Sequence, residues 1–208
     1  MVEDMTFLLV ERYDRVHRQT SGGGSTVERV HQEDFCQALG IVPETKYQKE
    51  GGPSLKDCFH LLREVSRTPV IDLARLLDAV IFNYLIGNND AHGKNYSLLY
   101  PGAGMEDVQV RLAPLYDVVS TIYYPELSQE MAMKIGGEYS SAKVTPQNFE
   151  KLAEEAGLAK PLVRRRVPEL ADAILSTLPN VEMQNPTTAS VAALIKKRAE
   201  RTRTSFRS

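Results

Sequence analysis

The chain changes character abruptly at residue 87, and that change limits what it can fold into. Residues 73–85 carry Leu73, Leu76, Leu77, Val80, Ile81, Tyr84 and Leu85. These apolar positions cover more than one stripe of a helix, which predicts a buried central helix. Gly87 ends it. Of the nine residues that follow, GNNDAHGKN, seven are Gly, Asn, Asp or His, which is turn chemistry rather than helix chemistry. A chain of 208 residues has room for one domain, or a tight pair of subdomains, around such a helix.

Elsewhere the pattern is mixed but mainly helical. Residues 6–11 (TFLLVE) read as a short buried strand, and residues 19–26, with Gly22, Gly23 and Gly24, as a loop. Val30, Phe35 and Leu39 recur at roughly helical spacing over residues 27–39, and Gly40 stops the run. Residues 41–53 read as a loop. Ser54 is placed to cap a helix through about Val65. Residues 96–100 and 108–115 read as two short strands around a turn, and residues 131–135 as another. From Thr145–Pro146, a cap followed by proline at the first helical position, the pattern is helical to the end, with helices expected over about 161–177 and 188–201. The expected class is mainly α with a small α+β element. The expected organisation is an N-terminal piece at 1–26, a central piece at 27–144 carrying the polar loop, and C-terminal helices at 145–208.

Composition excludes several classes of function. Hydrophobic residues make up 42% and charged residues 25%, so a disordered or fibrous chain is ruled out. No apolar run approaches the roughly 18 residues of a membrane span. The first residues place acids before a very short apolar stretch, the wrong order for a secretory signal. Cys36 and Cys58 sit among apolar neighbours, which points to reduced thiols and a cytoplasmic setting. The net charge of −2 hides an asymmetry. Residues 196–208 hold Lys196, Lys197, Arg198, Arg201, Arg203 and Arg207 against Glu200, a net +5 on a body of −7. Such a tail suits either an anionic partner such as DNA or a solvated helix end whose bases answer the helix dipole.

The densest chemistry lies in Asp90, Asn95 and Asp117. Phosphoryl transfer from a nucleotide needs a carboxylate on the attacking hydroxyl, and oxygen ligands holding Mg²⁺ against the phosphates. A loop Asp-x-x-x-x-Asn can supply both, and here it is residues 90–95, DAHGKN. A second Asp must arrive from a nearby strand end, and a hairpin over residues 96–115 would bring Asp117 there. Within the loop, Lys94 can add charge near a phosphate and His92 can face a nucleotide or metal. The competing reading is structural: Asp90 and Asn95 cap turns, Asp117 caps a helix, Lys94 is a surface lysine and His92 is satisfied by backbone carbonyls.

The runs FNYLIGNNDAHGKNYSLLY (82–100) and RLAPLYDVVST (111–121) resemble the HipA family of bacterial toxin serine/threonine kinases. So do LVERYDR (9–15), HQEDFCQALG (31–40) and KYQKEGGPSL (46–55). The resemblance runs from about Leu8 to at least Tyr124. It implies a protein-kinase-like C-terminal lobe that uses ATP and Mg²⁺. Asp90 would be the catalytic base, and Asn95 and Asp117 the metal ligands. His92, Gly93, Lys94, Tyr116, Val118 and Val119 would line the nucleotide site, with Glu11, Arg12 and Tyr13 forming the hinge around adenine. Family members phosphorylate a protein, typically an aminoacyl-tRNA synthetase, and are neutralised by a helix-turn-helix antitoxin that binds operator DNA.

The family also carries an N-terminal lobe before the hinge, with a phosphate-binding lysine and a loop over the phosphates. Nothing upstream of Glu11 could supply these, and Gly22–Gly24 lie after the hinge. The expectation is that this chain alone binds ATP weakly, transfers phosphate slowly or not at all, and exposes a lobe interface suited to a partner. Two other readings stay open: a non-catalytic module that binds an antitoxin-like partner or DNA, and a small-molecule phosphotransferase sharing the same loop.

Overall fold

The computed structural model describes residues 9–19, 22–102, 108–182 and 185–207. Its strands are β1 (Arg15–Gln19), β2 (Ser25–Arg29), β3 (His31–Asp34), β4 (Ser97–Tyr100), β5 (Arg111–Leu112), β6 (Glu130–Ile135) and β7 (Glu138–Ser140). Its helices are α1 (Phe35–Ala38), α2 (Leu55–Val65), α3 (Pro69–Ile86), α4 (Pro146–Ala156), α5 (Lys160–Thr177) and α6 (Pro186–Arg207). Three small antiparallel sheets pair β1 with β2, β3 with β4 and β5, and β6 with β7. None of these helices is long and apolar enough to cross a membrane.

The central helix is where the sequence places it. Leu76, Ile81 and Leu85 of α3 are fully buried, against Phe59 and Leu62 of α2, Phe149 and Leu152 of α4 and Val163 and Val167 of α5. Each such side chain contributes about 1.5–3 kcal/mol on burial. Gly87 stops α3 in the left-handed region at φ 75°, where its N–H returns to the carbonyls of Asn83 and Tyr84. A side chain there would also collide with Ile122, so the helix can end only on glycine. Polar contacts orient the surrounding elements. Buried Asp72, at the start of α3, accepts from Ser66 Oγ, Arg111 Nε and the Leu112 backbone N–H, which ties β5 to α3. Asp78 makes a two-pronged pair with Arg166 of α5 at 2.6 and 2.8 Å.

Helix α2 begins on Ser54 in a reciprocal capping arrangement with Asp57, and α4 begins on Thr145 with Asn148. Both starts were legible from the caps. The first third of the chain departs from expectation. The helix expected over 27–39 is two strands and a single helical turn. Three apolar residues in thirteen are too few to hold a helix face, whereas Val27 pairs with His17 and Gln32 with Leu99 across strands. Only α1 is helical, capped by Asp34 and Gln37. The strand expected over 6–11 is absent from its described part: residues 9–12 are irregular, with Leu9 87% and Val10 68% exposed. Residues 6–8 lie outside the described residues. The loop expected over 19–26 is shorter, because β1 and β2 form a hairpin around it. The strand expected over 108–115 pairs only at Arg111–Leu112.

Cys36 and Cys58 are buried free thiols, and burial pushes both upward in pKa. The basic terminus is an ordered helix rather than a frayed end. Arg198 donates to the Tyr84 carbonyl and lies 5.2 Å from the centre of its ring. Arg201 bonds the Ala142 carbonyl, and Arg203 and Arg207 pair with Asp172. Four of the six basic residues are thus engaged with the body of the protein.

Candidate active site

Helix α3 delivers the polar loop, and the β4–β5 hairpin returns the chain to it. The loop is built by its own amides. Buried Asn88 donates to the Asn83 side chain and to the Asp117 carbonyl, and its Oδ1 accepts from the Asp90 N–H. The His92 N–H donates to the Asp90 carbonyl at 2.8 Å and to Asn95 Oδ1 at 3.2 Å. Residues 93–95 then make one 3-10 turn. Gly93 lies flat against Pro53 and Cys36, leaving no room for a side chain.

Asn95 and Asp117 meet directly, with Nδ2 donating to Oδ2 at 2.6 Å across 22 residues of sequence. Among the described residues Asp117 is the one non-glycine with positive φ, at 54°. Aspartate tolerates that region better than most residues, and such local strain gathers at functional sites. The tyrosine before it anchors the turn: Tyr116 Oη bonds Ser97 Oγ at 2.6 Å and the Lys94 carbonyl at 2.5 Å. Burial pushes that phenol up to about 12. Tyr13 stands 6.2 Å from Tyr116, ring centre to ring centre.

His92 is buried and its Nδ1 has no partner. Burial, and then the nearby Lys46 charge, lower its pKa, so the ring is neutral at pH 7. Its face meets the edge of Tyr47 at 5.4 Å. Tyr47 in turn donates to Asp90 Oδ1 at 2.8 Å. A cleft of about 380 Å³ opens beside Asp90, lined in part by Tyr47, Lys49, Asn89, Leu127 and Met131. A second, of about 420 Å³, reaches the Asn95 end of the loop from the side of α3 and α5.

Most of the residues singled out in the sequence therefore converge. Asp90, His92, Gly93, Lys94 and Asn95 share the loop, and Tyr116 and Asp117 are bonded to it. Tyr13 reaches it by ring contact. Val118 and Val119 follow Asp117 on an exposed stretch, 43% and 44% accessible. Arg12 turns away to pair with Asp14, and Glu11 is exposed, with no bond to the loop among the described residues. Sequence reasoning assigned nothing to Tyr47, Asn88 or Ser97. Tyr47 lies 43 residues from its partner, and no local pattern marks it. Asn88 was visible only as one more turn residue.

The donor set fits a hard cation. Asp117 and the Asn95 amide offer one carboxylate and one neutral oxygen on facing loops. Mg²⁺ commonly takes one or two such carboxylates and completes its shell with phosphate and water. Among the described residues no cluster of three or more His, Cys, Asp or Glu could hold a metal alone. A site of this kind needs a phosphate ligand to share the ion.

Fold and loop together define a kinase-like α+β lobe. The chain belongs to the HipA-like C-terminal domain family, whose model matches residues 1–178. It is 52% identical over 175 residues to the putative kinase Y4mE of Sinorhizobium fredii, covering 84% of this chain and 40% of that protein. It is 32% identical over 192 residues to the serine/threonine-protein kinase toxin HipA of Shewanella oneidensis, covering 84% of this chain and 42% of the relative. The solved complex of Shewanella oneidensis HipA with HipB and operator DNA matches with a TM-score of 0.82 at 27% identity, over 95% of this chain and 49% of that one. Helicobacter pylori CtkA, a proinflammatory kinase, shares the fold at a TM-score of 0.50 and 11% identity, over 92% of this chain and 74% of that one. The chain thus spans less than half the length of the HipA relatives it matches.

Proposed function

We propose that this chain is the C-terminal, catalytic-loop half of a HipA-like serine/threonine protein kinase that acts with ATP and Mg²⁺. The observation that carries the reading is the Asn95–Asp117 contact at 2.6 Å, five residues from Asp90 in the same loop. Two loops far apart in sequence bring a base and two oxygen ligands together, as phosphoryl transfer requires. Asp90 orients and deprotonates the acceptor hydroxyl. Asn95 and Asp117 hold the metal, which when bound neutralises charge on the transferred phosphoryl group. Lys94 adds positive charge beside it. Tyr13, Tyr116, Val118 and Val119 offer an apolar and aromatic surface for the base of the nucleotide, next to the hinge residues Glu11 and Arg12. The acceptor is a protein hydroxyl, and the partners in this reading are an N-terminal kinase lobe and a helix-turn-helix antitoxin of the HipB kind.

The test is phosphoryl transfer by the 208-residue chain with a HipA-type N-terminal lobe supplied in trans. Asp90→Asn and Asp117→Asn should each lower the rate by about a hundredfold or more, the range of a lost base or charge stabiliser. Transfer unaffected by both substitutions would reject the site. The small-molecule phosphotransferase reading gains no specific support from the geometry. A DNA-binding tail is disfavoured by the engagement of Arg198, Arg201, Arg203 and Arg207 with the protein itself.

A further inference from the structure

The carboxylate of Asp90 is held from outside its own loop. Tyr47 Oη donates to Oδ1, while among the described residues no protein donor sits on Oδ2. Tyr47 is itself fixed. Its carbonyl accepts from the Glu50 and Gly52 N–H groups, both at 2.9 Å. The neighbouring Gln48 side chain accepts from the Lys134 N–H of β6 at 2.9 Å. Gly52 packs so closely on the Thr45 and Lys46 backbone that no side chain fits there. Lys46 lies 5.1 Å from the centre of the tyrosine ring. The turn thus delivers one hydroxyl to one carboxylate oxygen. Packing alone does not call for it, because a phenylalanine ring would make the same edge contact with His92. The cleft of about 380 Å³ opens onto both Tyr47 and Asp90, so the remaining oxygen is the one an incoming group can reach.

We infer that Tyr47 is the positioning residue for Asp90: it locks one carboxylate oxygen so that the other faces an acceptor hydroxyl entering from the cleft between residues 47–50 and 127–132. This rests on the kinase reading above. The phenol stays a donor at neutral pH. Burial first, then the Asp90 bond and the Asp90 and Glu50 charges, push it up to about 12. His92, neutral at that pH, and Lys46 are the other titratable groups against it. Without the lock the carboxylate rotates freely, and alignment of the proton acceptor is lost.

The experiment compares the parent chain, Tyr47→Phe and Asp90→Asn, each with the N-terminal lobe in trans. The donor is MgATP and the probe acceptor is myelin basic protein. Tyr47→Phe should lower kcat about tenfold or more, a fraction of what a positioned base contributes, and leave KM for MgATP within about twofold. A purely structural role would instead lower the thermal midpoint and raise KM. A second readout needs no turnover. The Tyr47 ring resonance should show no ionisation up to about pH 10 in the parent, and should titrate near the ordinary tyrosine value of about 10 in Asp90→Asn. Parental kcat in Tyr47→Phe, with Asp90→Asn inactive, overturns this assignment and leaves the kinase reading standing. Identical tyrosine titration in parent and Asp90→Asn overturns the contact. Absence of any Asp90-dependent transfer overturns the kinase reading and this assignment together.

Discussion

A methyl group at position 93 would overlap Pro53 and crowd Cys36 Sγ at 2.9 Å, so the loop between Asp90 and Asn95 is pinned by what it cannot carry. Gly93→Ala should cost about 1–3 kcal/mol by overpacking, read by denaturant unfolding. It should also loosen the 3-10 turn that presents Asn95. A substitution within about 0.5 kcal/mol of the parent would contradict the packing argument. At this scale the sequence was informative about residue types in one short stretch: Asp90, Asn95 and the neighbouring glycines announce a polar turn. It was silent on Tyr47, because a contact between residues 47 and 90 depends on how two loops fold back on each other. It was also silent on the left-handed Asp117, since nothing in LYDVV demands a positive φ. That conformation is imposed from outside, by Asn88 on its carbonyl and Asn95 on its carboxylate.

The β1–β2 hairpin is the element least supported by packing. All of β2 and four of the five residues of β1 are exposed, and an isolated two-stranded hairpin is marginal in water. Its anchor is Asp14. The buried carboxylate accepts from Arg12 Nε and Nη2 and from Arg15 Nη1, and its carbonyl accepts from the Val30 N–H. The Arg12 bond, foremost, holds Asp14 down to about 2, below an ordinary carboxylate near 4. The native state therefore binds this proton less readily than the unfolded chain. The stabilisation is complete above about pH 4 and is lost as the pH falls through about 2. Hairpin amide protection should collapse over that window. In Asp14→Asn it should already be weak at pH 7, with little further change on acidification; unchanged protection there would contradict the anchor. Elements were legible where local chemistry agreed with the tertiary fold. Ser54, Gly87 and Thr145–Pro146 mark ends of α2, α3 and α4 by caps that need no distant partner. Strands β2 and β3 were not legible, because β2 takes its partner across the glycine loop and β3 takes its partner from residues 97–100.

As a whole the molecule is a helical lobe whose reactive loop lies between two clefts, beside an exposed apolar stretch at Val118 and Val119 and an exposed approach at Leu9 and Val10. Length and composition bounded this to one domain, and the buried helix followed by a polar loop suggested its centre. The reach of α6 was harder to read. Its last residues look like a frayed basic tail in sequence, yet Arg198 and Arg207 are tied to α3 and α5 by contacts 114 and 35 residues away. The central claim is that Asn95 and Asp117 hold a divalent ion only together with nucleotide phosphate. The direct measurement replaces Mg²⁺ with paramagnetic Mn²⁺ and follows amide resonances of this chain with and without ATP. With both present, broadening should centre on residues 88–96 and 115–119, vanish in Asp117→Asn, and be weak with Mn²⁺ alone. Broadening centred elsewhere, or unchanged in Asp117→Asn, would contradict the account.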